Sequence, residues 1–133
     1  MSETPHLDIL RSPLGRVRGL GSAHAGSAHW WAQRLTATAL VPLTLWFIWS
    51  VVRLSTASHQ AVAEWLSAPI PLVLMLALVA ITFHHLQLGL QVVIEDYVHQ
   101  EPAKTASLVL AKTLCWLLAI VCVVSVLKIG LRA

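Results

Sequence analysis

The sequence predicts an all-α integral membrane protein, an up-down-up bundle of three transmembrane helices behind a polar N-terminal arm. Three observations carry that expectation. Hydrophobic residues make up 57% of the 133 positions and charged residues only 11%, against roughly 25% charged in an average soluble domain. There is too little charge to coat a surface facing water, and the mean hydropathy is +0.74. The apolar residues fall into three long stretches, and a helix needs about 20 of them to cross roughly 30 Å of hydrocarbon. Finally, the formal charge of +3 comes from nine Lys and Arg against six Asp and Glu, with the arginines clustered towards the N-terminus rather than along one face. That pattern reads as membrane topology and not as nucleic-acid binding.

Residues 1–29 form the arm, polar and rich in Gly, Ser and Arg, with Gly-Ser-Ala-His occurring at 21–24 and again at 26–29. His24 and His29 have no Cys or acidic companion and read as a solvated linker, not a metal site. The first 30 residues lack the apolar run of about 7 to 15 residues that a signal peptide requires. The first crossing is therefore expected to act as the insertion signal. It covers 30–54, opened by Trp30-Trp31 at a headgroup interface and closed by Arg53. A second crossing covers about 66–97, with Pro69 and Pro71 in the first turn, where proline is tolerated. A third covers about 104–130, just after Pro102. The short links, 55–64 and 98–103, call for antiparallel neighbours. Cys115 and Cys122 lie about 10 Å apart along the third helix, too far for a disulfide, and read as packing thiols.

Orientation follows from the basic residues. Arg11, Arg16, Arg18, Arg34 and Lys104 fall on one side and Arg53, Lys128 and Arg132 on the other. The excess places the N-terminus in the cytoplasm.

Halfway along, the second helix changes from an apolar run into His84-His85-Leu-Gln87-Leu-Gly89-Leu-Gln91, ending in Glu95-Asp96-Tyr97. Polar groups at membrane depth are expensive unless they face protein, cofactor or water. At ~100° and ~1.5 Å per residue, Asp96 lies about 20° beyond three full turns from His85 and about 16 Å along the axis, so the two share a stripe. Gly89 lies one turn from His85 on the same side, where a missing side chain leaves room for a flat macrocycle, and neutral imidazole is a common axial haem ligand. The competing reading of a membrane histidine is an interhelical hydrogen bond. Gly89 and the Asp96-Tyr97 pair tip His85 towards a ligand. His84 points about 100° away, on a stripe with Gln87, Gln91 and Glu95 suited to interhelical bonding. With no histidine on the other two apolar segments, a six-coordinate haem needs its second ligand from another chain. Arg34, Asp96 and Tyr97 are expected at one membrane level, a set suited to a quinone headgroup or a haem propionate.

On Gln33-Arg34-Leu-Thr36-Ala37 and on His85 with Gly89, Asp96 and Tyr97, the chain resembles the smaller, D-type cytochrome b membrane anchor subunits of succinate dehydrogenase, respiratory complex II. The resemblance spans about 28–130. It implies that His85 is an axial ligand of a haem b shared with a second hydrophobic cytochrome b anchor, with Gly89 beside it. It implies that Tyr97 donates a hydrogen bond to a ubiquinone carbonyl, that Asp96 supports that site, and that Arg34 lies near the haem propionates and the quinone pocket. FAD and the iron-sulfur clusters would sit in partner flavoprotein and iron-sulfur subunits, so this chain does none of the carbon chemistry and carries no catalytic residue of its own for it. The expected setting is the bacterial inner membrane, or its mitochondrial equivalent, in contact with lipid. The alternatives are the anchor of a quinol:fumarate reductase and a non-redox structural protein whose histidines merely bridge helices.

Overall fold

The computed structural model describes residues 23–131, with side chains from residue 26 onward. The remainder of the expected arm, with Arg11, Arg16 and Arg18, the side chain of His24, and Arg132 lie outside the described residues. Every regular element among the described residues is an α-helix: α1 (Ala23–Leu54), α2 (His59–Ser67), α3 (Pro69–Tyr97) and α4 (Glu101–Gly130). Of these, α1, α3 and α4 are long and apolar enough to cross a membrane.

The boundaries differ from the hydropathy reading for local reasons. α1 starts at Ala23 instead of Trp30, because Ala23, Ala25 and Ala28 favour helix whether or not lipid surrounds them. Pro42 sits within α1 and leaves the Thr38 carbonyl without its usual amide donor. The helix continues, with Thr44 donating to the Leu40 carbonyl at 2.7 Å. Within the expected short link at 55–64, and running on to Ser67, α2 forms with Ser58 as its N-cap, the Ser58 hydroxyl accepting from the Ala61 amide at 3.3 Å. Ala68, which precedes Pro69, is extended at φ −66°, ψ 140°; a residue before proline is pushed out of the helical region, and this separates α2 from α3. α4 begins at Glu101 because Pro102 suits a first helical turn.

α3 is the central helix, packed against α1 on one side and α4 on the other, while α2 lies against the ends of α3 and α4. Trp65 of α2 stacks on Trp46 of α1, ring centroids 5.8 Å apart. Very little is inside. Leu66, Leu78, Leu88, Cys115 and Ser50 are buried, and most of the remaining large apolar side chains point outward, which is stable only where lipid or other polypeptide covers them. Gly130 marks the tightest approach: a Cβ there would meet Leu72 Cδ1 at 2.8 Å and the Leu66 carbonyl at 3.2 Å. Cys115 and Cys122 are both free thiols.

Two Arg–Trp pairs bracket α1. Arg34 lies over the Trp30 ring at 4.9 Å and Arg53 over Trp49 at 5.1 Å. The two arginines are about 28 Å apart along the helix axis, close to the thickness of a hydrocarbon core.

Candidate functional site

α3 presents its adjacent histidines to different neighbours. His85 is half-buried and faces α1, where its Nδ1 lies 2.9 Å from Thr36 Oγ1. The same hydroxyl lies 2.8 Å from the Ala32 carbonyl and 3.1 Å from that of Gln33. The interhelical bond that competes with ligation in the sequence reading is thus present, but it engages one ring nitrogen. Nε2 of His85 carries no hydrogen bond among the described residues.

One turn on, Gly89 faces the same helix. A Cβ there would lie 3.6 Å from Gln33 Nε2, so the glycine opens onto α1, and it is Gln33 that occupies the space beside it. Gln33 Oε1 and His29 Nε2 are buried without a partner among the described residues. His29, Gln33 and Thr36 recur at i, i+4 and i+7, one face of a helix, and that face is turned to α3. His29 belongs to α1 and not to a polar arm, so the first long helix does carry a histidine. The sequence reading took Gln33 and Thr36 only as part of a family-like motif and left His29 in the arm, because such side chains announce no chemistry until their neighbour is known. The spacing was the available signal.

The Thr36–His85 bond and the Gln33–Gly89 contact fix an antiparallel register. Arg34 then stands level with Gln87 and Leu88, roughly 13 Å along the axis from Asp96 and Tyr97. Its guanidinium stays on its own helix over Trp30. The structure therefore separates Arg34 from the Asp96-Tyr97 pair, because α1 begins earlier than hydropathy suggests and slides Arg34 up the bundle. Tyr97 is 78% exposed at the last residue of α3, and Asp96 beside it is exposed with no bonded partner among the described residues. Both lie beyond the level of Arg34, outside the band that the two Arg–Trp pairs mark.

His84 is exposed and lines a groove of about 460 Å³ between α3 and α4, with Phe83, Gln87, Cys115 and Trp116 among its walls. Further along that face Gln87 and Gln91 border a smaller hollow with Lys112, and Gln91 donates to Glu95 at 2.9 Å. Gln91 and Glu95 therefore bond within α3 rather than across helices.

Fold and site together define a multi-pass α-helical membrane protein whose central helix carries a histidine held across a helix pair. The chain belongs to the succinate dehydrogenase/fumarate reductase transmembrane subunit family, whose model matches residues 8–126. It is similar to the succinate dehydrogenase hydrophobic membrane anchor subunit of Rickettsia bellii, 31% identical over 90% of this chain and 96% of that one. Its likeness to the Paracoccus denitrificans protein of the same name is 29% over 92% of this chain and 94% of that one. The succinate dehydrogenase membrane anchor subunit of Reclinomonas americana is 30% identical over 68% of this chain and 78% of its own length. No solved structure matches the chain. Membership makes it a subunit of an oxidoreductase complex.

Proposed function

We propose that this chain anchors a succinate:ubiquinone oxidoreductase in the bacterial inner membrane, with its N-terminus cytoplasmic, and supplies half of a haem b pocket and part of a quinone site. The observation that carries the reading is the imidazole of His85, bonded through Nδ1 to Thr36 with Nε2 unbonded among the described residues, in a chain whose relatives are named succinate dehydrogenase anchors. Those names also favour succinate oxidation over a quinol:fumarate reductase. The donor set fits a haem: an imidazole offers one nitrogen lone pair, and two further buried polar atoms, His29 Nε2 and Gln33 Oε1, lack partners among the described residues.

His85 would hold the iron from one side, with the second ligand from the partner anchor, and Gly89 allows α1 to stay close enough for Thr36 to reach the ring. When bound, the haem supplies a one-electron carrier within the membrane. Tyr97 is exposed at the end of α3, and an iron-sulfur subunit would cover it there. Its phenol would donate to a ubiquinone carbonyl that gains negative charge on reduction, and Asp96 would orient that end of the site. Arg34 belongs with the haem-propionate side, at the level of Gln87, rather than with Tyr97. The flavin and iron-sulfur clusters would reside in the flavoprotein and iron-sulfur subunits.

One observation favours a second imidazole: His84, not His85, borders the groove of about 460 Å³ between α3 and α4. The same experiment weighs both. Purified in mild detergent from its own membranes, the chain is expected to bring down a second hydrophobic subunit, an iron-sulfur protein and a flavoprotein, and to show a sharp reduced b-type absorbance band. Purification without those partners and without that band returns the chain to a purely structural anchor.

A further inference from the structure

Thr36 has one hydroxyl proton and three polar atoms within reach: the Ala32 carbonyl at 2.8 Å, the Gln33 carbonyl at 3.1 Å and His85 Nδ1 at 2.9 Å. Carbonyl oxygens only accept. If the hydroxyl donates to Ala32, its lone pairs are free to accept from a protonated Nδ1, and two hydrogen bonds form. If it donates to Nδ1 instead, the ring must carry its proton on Nε2, the hydroxyl gives up the carbonyl, and only one bond forms. A Thr on an apolar helix habitually bonds the carbonyl four residues back, and a hydrogen bond surrendered where water cannot replace it is a net loss. The first arrangement therefore wins.

We infer that Thr36 is a positioning residue for His85: its hydroxyl selects the Nδ1–H tautomer, fixes the ring plane, and leaves Nε2 as the free lone pair. This rests on the reading of His85 as the haem ligand. The bond is made across the α1–α3 seam, so a residue 49 positions earlier in the chain sets the donor strength of the imidazole. A hydrogen bond from Nδ1–H makes Nε2 more basic and favours the oxidised metal, and loss of such an outer partner typically weakens metal binding by about 10- to 100-fold.

The test is carried out on the assembled complex. Thr36→Val keeps the branched shape and removes the hydroxyl. We expect haem to be lost to an apo-haem acceptor about tenfold faster and the haem reduction potential, followed spectroscopically, to move upward. Thr36→Ser should restore both, which a role in packing alone would not predict. Thr36→Ala is the second hydroxyl-free variant, used if the valine does not assemble. His85→Ala, run in parallel, separates the two layers. If His85→Ala retains the haem spectrum, the ligand assignment fails. If His85→Ala loses it while the hydroxyl-free variants keep both the wild-type potential and the wild-type rate of haem loss, the role of Thr36 is overturned alone.

Discussion

On the α1 side of α3, His85 is half-buried and bonded to Thr36 at 2.9 Å; on the α4 side His84, one residue earlier, is exposed beside an almost wholly apolar groove. The two residues are chemically identical and about 1.5 Å apart along the axis, so only their neighbours distinguish them. The α1 side brings polar atoms of its own, at His29, Gln33 and Thr36. The α4 side answers with Cys115, Trp116, Ala119 and Val123. An imidazole in hydrocarbon is tolerated where something satisfies it. The first face meets polar atoms of this chain, and the second meets an apolar wall.

The sharpest way to break this comparison is to remove each ring in turn. His85→Ala is expected to abolish the b-type absorbance band, whereas His84→Ala should leave it nearly unchanged. Optical spectra of the two purified complexes decide the matter, and the reverse result would move iron ligation to the α4 face.

A smaller effect is expected at the far end of α3. Tyr97→Phe deletes one donor while keeping the ring. A preorganised donor is worth about 3 kcal/mol in a dry site and less where water substitutes, so quinone reductase activity should fall at least tenfold on that basis. Succinate oxidation with an acceptor that takes electrons upstream should be unchanged, with haem content matched between preparations. Equal loss in both assays would make Tyr97 an assembly contact.

The mildest change tests how tightly the polar face is closed. Because a Cβ at position 89 would sit at ordinary contact distance from Gln33, Gly89→Ala should assemble with normal haem. Gly89→Leu would force α1 away from α3, an overpacking worth roughly 1 to 3 kcal/mol, and should lower haem occupancy severalfold. Normal occupancy in the leucine variant would show that the seam can open without consequence for His85.

The three long helices were legible because apolar runs of transmembrane length are a strong signal, and the shared face of His85 and Gly89 because helical geometry converts spacing into direction. The short helix α2 was not, since it owes its boundaries to Ser58 and to the residue before Pro69, signals that are local and easily read as loop. The level of Arg34 was misjudged for a related reason: hydropathy marks where lipid begins, not where a helix does, and polar turns at the start of α1 shift its register against α3. The partner of His85 was hidden because Thr36 lies in another helix, and one sequence gives faces without saying which faces meet.

The separation of Thr36 from His85 in the chain has a consequence for biogenesis. Chains are made from the N-terminus, so α1 reaches the bilayer before the segment carrying His85 has been synthesised. A polar ring entering hydrocarbon alone is costly, but an interhelical hydrogen bond in a membrane returns about 0.6 to 2 kcal/mol. The Thr36 hydroxyl is thus already resident when the imidazole arrives, and the bond between them favours docking of α3 on α1 in the register observed. The nascent protein can accordingly offer one oriented histidine before any partner subunit or cofactor has reached it.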